Sequence, residues 1–92
     1  MLKRYLIERE IPAVGSLSPY DLGAAAQTSN RALAELQGVQ WQHSYVAANK
    51  TFCVYLAESE ALVREHSRIA RFPVTEVTEV PIEIGPMTAS SD

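Results

Sequence analysis

Four side chains of this sequence could carry chemistry at neutral pH: the histidines His43 and His66, the single thiol Cys53, and the carboxylate of Glu8. Neutral imidazole is a favourable ligand for nickel, zinc or copper, and a thiolate is a strong soft one. Each residue also has a plainer reading. His43 sits between Trp41 and Tyr45 in a strand-like run, where it could instead pack and hydrogen-bond across a hairpin, for example to Tyr55. Cys53 could act as a soft ligand or redox group, but free cysteine more often behaves as a small buried hydrophobe. His66 falls on an inward helical stripe. There it could donate to a backbone carbonyl or to Glu8 or Glu10, or approach His43 and form a metal or acid–base pair. Glu8, Arg9 and Glu65 read first as solvated charges. Glu65-His66 is no metal motif, because adjacent helical residues point about 100° apart.

With two histidines and one cysteine, one subunit cannot build an all-soft metal site. A site would combine ligands from two subunits or leave positions to water. The sharp catalytic signatures are absent: there is no His-x-x-x-His, Cys-x-x-Cys, phosphate loop or Gly-x-Ser-x-Gly. No Ser/Cys/His triad is visible from spacing either.

The elements that must position these residues follow one another clearly. Leu2 to Glu10 reads as a strand ended by Ile11-Pro12. Ser18-Pro19-Tyr20-Asp21 starts a helix, with Ser18 as cap, Pro19 at the first position and Leu17 and Leu22 as a hydrophobic staple. Leu22, Ala26, Ser29, Leu33 and Leu36 form its inward stripe, and Gly38 is expected to stop it. A hairpin then runs from Trp41 to Leu56, turning around Ala47-Ala48-Asn49-Lys50 with Asn49 as the candidate for positive φ. A second helix spans Ser59 to Arg71, its stripe built on Leu62, His66 and Ile69. Thr75 to Val80 reads as a strand, interrupted by Pro81, with Ile82-Glu83-Ile84 resuming as a short edge strand. The order β-α-β-β-α-β is the ferredoxin-like arrangement, an α+β fold with an antiparallel sheet and two helices on one face.

Within the hairpin, alternation places Trp41, His43 and Tyr45 on one face of the first arm. On the second arm Thr51, Cys53 and Tyr55 share one face and Phe52, Val54 and Leu56 the other. That arm is apolar on both sides and needs cover on both. A second copy is the simplest cover, giving a dimeric α/β barrel.

Ninety-two residues make one domain, expected over residues 1–84, with a loose tail over residues 85–92. An apolar fraction of 47% and a charged fraction of 21% are ordinary for a globular protein. Net charge −3 with interspersed signs argues against nucleic acid as a partner, which needs a basic stripe. The N-terminal apolar run is too short for a signal peptide or membrane span. A lone cysteine fits a reducing compartment, so the cytoplasm is the expected location.

Several segments together resemble a family of small bacterial ferredoxin-like domains of unknown function, some of them described as nickel-binding proteins. They are Tyr5-Leu-Ile-Glu-Arg9, Ile11-Pro12, Ser29-Asn30 with Leu33, Gln40-Trp41, His43-Ser44-Tyr45-Val46, Lys50-Thr51, Cys53-Val54-Tyr55-Leu56-Ala57, Val63-Arg64-Glu65-His66 and Phe72-Pro73. The resemblance implies a homodimer that binds nickel or another divalent transition metal, for sequestration or detoxification and not catalysis. The resemblance does not assign ligands residue by residue; from the residue types, the candidates are His43, His66, Cys53 and Glu8. The competing reading is a small-molecule binder or cofactor-free enzyme of the dimeric barrel type. It would use a histidine base in a cavity lined by Tyr5, Tyr45, Tyr55 and Trp41. A purely structural or interaction module is the third.

Overall fold

The computed structural model describes residues 1–90. Its elements are β1 (Lys3–Glu10), α1 (Pro19–Leu33), β2 (Val39–Val46), β3 (Lys50–Ala57), α2 (Glu60–Ala70) and β4 (Glu76–Glu79), with short 3₁₀ turns at Val14–Ser16 and Pro86–Ser90. The four strands form one antiparallel sheet in the order β2-β3-β1-β4. Both helices pack on one face of it, the ferredoxin-like arrangement that the order of elements predicts.

The helices begin where the sequence says. Ser18 Oγ accepts from Asp21 N at 3.1 Å, with Pro19 at the first helical position. Ser59 Oγ likewise accepts from Leu62 N at 3.3 Å. α1 ends earlier than expected, at Leu33. Tighter bonds from Glu35 N to Ala32 O (3.1 Å) and from Leu36 N to Leu33 O (3.0 Å) unwind its last turn. Gly38 has a different task. At φ 79° it bends the chain into β2, and its carbonyl accepts from Glu58 N at 2.9 Å.

The hairpin departs from simple alternation. Trp41 pairs with Tyr55, but the next paired residue is His43, opposite Val54. Gln42 is therefore bulged out, and every side chain after it changes face. Trp41 points toward the helices, whereas His43 and Tyr45 point away, so the expected common face of these three is corrected. Asn49 does not take positive φ, which among non-glycine residues belongs to Ala13 and Arg71. Its side chain instead accepts from Ala13 N at 2.8 Å, and its carbonyl accepts from Ile11 N at 3.0 Å. Gly15 completes this seam. It donates to Ala48 O at 3.0 Å, and a Cβ there would lie 2.7 Å from Ala47 O. The loop after β1 is thereby fastened to the hairpin turn.

Ile82-Glu83-Ile84 forms no strand, and Ile82 and Ile84 are exposed. Val80 N donates to Arg4 O at 2.8 Å, one residue from the start of β1. Beyond that point the partner strand has run out, and Pro81 offers no N–H. Of the expected tail, Pro86–Ser90 forms an exposed 3₁₀ turn and residues 91–92 lie outside the described residues. No helix among the described residues is long and apolar enough to cross a membrane.

The core lies between sheet and helices, on Tyr5, Ile7, Val39, Cys53, Tyr55, Ala57 and Val63. It contracts toward the Tyr5–Ala57 end of the sheet. At the other end α1 buries little, only Ser29 and Ala32 being fully covered along its length.

Candidate functional site

The sheet register divides the four candidate residues between two regions. Glu8 and His43 share the face away from the helices, since they pair with Phe52 and Val54 on β3. Cys53 points the other way, into the core, and His66 reaches it from α2. Even on the shared face, β3 separates Glu8 from His43, a spacing of roughly 10 Å for two interstrand steps. Among the described residues no group of three or more His, Cys, Asp or Glu side chains could hold a metal ion.

The open face is an apolar patch with a polar border. Leu6, Phe52, Val54 and Leu56 are half-buried there without a layer above them. His43 stands edge-on to Tyr45 at 5.1 Å between ring centroids, and both side chains are exposed. Glu8 accepts from Lys50 Nζ at 3.2 Å, and that ammonium lies 5.6 Å from the Phe52 ring centroid. The geometry leaves the His43 imidazole free to meet an incoming group.

On the helix side the chemistry centres on Arg9, which sequence reasoning assigned to solvent. It is 2% exposed. Its Nη1 donates to Ser67 Oγ at 3.0 Å and to Pro73 O at 2.8 Å, and its Nη2 donates to Tyr55 Oη at 3.4 Å. The guanidinium also lies 5.2 Å from the Phe72 ring centroid. No carboxylate pairs with it among the described residues, and its buried Nε has no partner. The signal was in the alternation: Tyr5, Ile7 and Arg9 are successive inward positions of β1.

His66 is fully buried, but neither Glu8 nor Glu10 is its partner. Its Nε2 lies 3.2 Å from Ser29 Oγ and 3.4 Å from Ser29 O, while Nδ1 has no partner. A ring proton on Nε2 would donate to that carbonyl. Burial, with the positive charge of Arg9 adding to it, lowers the pKa of His66 and keeps the ring neutral. Burial also raises that of Tyr55, so its phenol stays protonated beside the guanidinium.

A cleft of about 480 Å³ opens beside this network, between the first half of α1 and the Arg9 end of the sheet. The first half of α1 is sparsely covered there, with Leu22 and Ala25 exposed and Ala26 only half-covered. Val14, Leu22, Trp41 and Phe72 supply apolar wall, and Arg9, Ser44, Thr51, Tyr55 and Arg71 supply polar groups. Ser44 Oγ accepts from Trp41 Nε1 at 2.9 Å. The wall includes no histidine. The expected aromatic cavity is therefore present in part, through Tyr55 and Trp41, but without the expected base.

The sequence pattern of the family described as "Nickel responsive protein SCO4226-like" matches residues 5–80. Among solved structures, the crystal structure of SCO4226 from Streptomyces coelicolor A3(2) superposes with a TM-score of 0.71. That likeness covers 88% of this chain and 99% of the other, at 19% sequence identity, and so speaks for the fold. No match is found among curated protein sequences.

Proposed function

The chain belongs to the SCO4226-like family of nickel responsive proteins, and on that premise we propose that it is a homodimer holding a divalent transition metal, nickel first, at the uncovered sheet face. The observation that carries this reading is the exposed His43 imidazole bordering the half-buried patch of Leu6, Phe52, Val54 and Leu56. A second copy over that face would remove apolar side chains from water, worth ~25 cal/mol per Å² before association costs. Around a twofold axis the same seam would receive His43, Tyr45 and Glu8 from both copies.

One chain offers nickel a single accessible imidazole, so the shell would be completed by the second copy and by water. Nickel accepts such mixed nitrogen and oxygen ligands. Glu8 would first have to leave Lys50. Cys53 and His66 serve the fold in this reading. Both are buried, and a cation entering beside Arg9 would meet a like charge with no carboxylate to offset it. The role that suits a site without an adjacent acid–base pair is holding or sequestering the ion.

Calorimetric titration of tag-free protein with Ni²⁺, beside light scattering for mass, tests the proposal. Saturable binding to a dimer is expected, weakened at least tenfold in His43→Ala while the dimer persists. An isotherm unchanged in His43→Ala removes the assignment of His43, and a monomer that binds no nickel removes the whole reading.

A further inference from the structure

The cleft beside Arg9 has a composition at odds with the rest of the chain. The protein carries net charge −3, yet the cleft wall contains two arginines, Arg9 and Arg71, and no aspartate or glutamate. Arg71 is exposed at the rim, held by the αL turn that ends α2 (φ 62°). Arg9 lies deeper, its charge removed from water and met only by neutral acceptors: a hydroxyl, a carbonyl and a phenol. A buried cation without an anion costs free energy that neutral acceptors offset only in part. The Nε–H group, buried and unpartnered, marks the same deficit on one atom.

From this arrangement we propose that the cleft binds a small amphipathic monocarboxylate, its head group toward Arg9 and Tyr55 and its aliphatic or aromatic body along Val14, Leu22 and Trp41. The volume, about 480 Å³, lies in the range of small-molecule sites, roughly 300–1,000 Å³. Guanidinium and carboxylate match in geometry as well as charge. The Ser44 hydroxyl, already accepting from Trp41, keeps its own proton to donate. Two cationic groups without an acid disfavour a metal ion or an amine in the same space. The cleft and the His43 face lie on opposite sides of the sheet, so this inference stands apart from the nickel reading.

The test uses tag-free wild-type protein and two probes of the same chain length, octanoate and octan-1-ol, followed by amide and arginine Nε–H chemical shifts. Octanoate is expected to move Leu22, Ala26, Ser44 and Thr51 and the Arg9 Nε–H resonance, leaving His43 and Val54 in place. It should bind at least about tenfold more tightly than octan-1-ol, the scale of one or two charge-assisted hydrogen bonds. Arg71→Gln, at an exposed position, should weaken octanoate and leave octan-1-ol unchanged. Equal binding of the two probes would reduce the cleft to a plain apolar pocket and overturn the proposal. So would an unperturbed spectrum at about 5 mM octanoate, which would make Arg9 a strut between β1 and α2 and nothing more.

Discussion

Ile7 and Val54 sit on adjacent strands of the same sheet, and only the direction of the side chain separates them. Ile7 points toward the helices and is completely buried among Tyr5, Tyr55 and Val63, whereas Val54 points away and is half-covered by its neighbours. The helix side holds hydrogen bonds made within one chain, in which Arg9 of β1, Ser29 of α1, Tyr55 of β3, and Ser67 and His66 of α2 join four elements. The open side holds comparable hydrophobic residues with no third layer. A fold packed on one side and open on the other draws most of its stability from the first, and under the function proposed above the second would be the face that meets another copy or an ion.

Paired truncations would break this contrast most directly. Ile7→Ala should cost about 2–5 kcal/mol of unfolding free energy, the range for removing a large aliphatic side chain from a closed core. Val54→Ala should cost less, roughly 1 kcal/mol in dilute protein, since it removes a smaller group from a side chain only partly covered within one chain. Its cost should grow with protein concentration, because association stabilises by mass action. Urea unfolding at two protein concentrations checks both statements. Equal losses at every concentration would mean that the two faces are alike in energy, and the open-face reading would lose its basis.

Much of this division was legible in the sequence, and the parts that were not have physical causes. The caps at Ser18 and Ser59, the element order and the two-sided apolar character of β3 are local signals, and all appear in the structure. The position of Trp41 relative to His43 was not legible. A one-residue bulge at Gln42 inverts the faces after it, and bulges depend on the partner strand rather than on local pattern. The inward placement of Arg9 was available from alternation with Tyr5 and Ile7, but the usual exposure of arginine outweighed it. Its partners could not be found from sequence, since Ser67 and Pro73 stand 58 and 64 residues away. The cleft, likewise, is lined by residues from distant parts of the chain, Arg9 to Pro73, and has no sequence signature.

A smaller effect sharpens the comparison through pH. His66 belongs to the closed side, and burial lowers its pKa in the folded protein below the 6.5 of an unperturbed imidazole. The unfolded chain therefore binds the proton more readily than the folded one over the interval just below 6.5. In that interval stability must fall as pH falls, while above it the contribution is fully present. Melting temperatures from about pH 7.5 down to about pH 5 should decline in the wild type, above the range in which most carboxylates titrate. His66→Gln keeps an amide able to meet Ser29 but cannot take up the proton, so its decline should be shallower whatever its absolute stability. Val54→Ala, a change confined to the open face, should preserve the wild-type slope. If the slope survives in His66→Gln and flattens in Val54→Ala, the pH response belongs to the interface between copies rather than to the closed network, and the assignment of roles to the two faces would have to be exchanged.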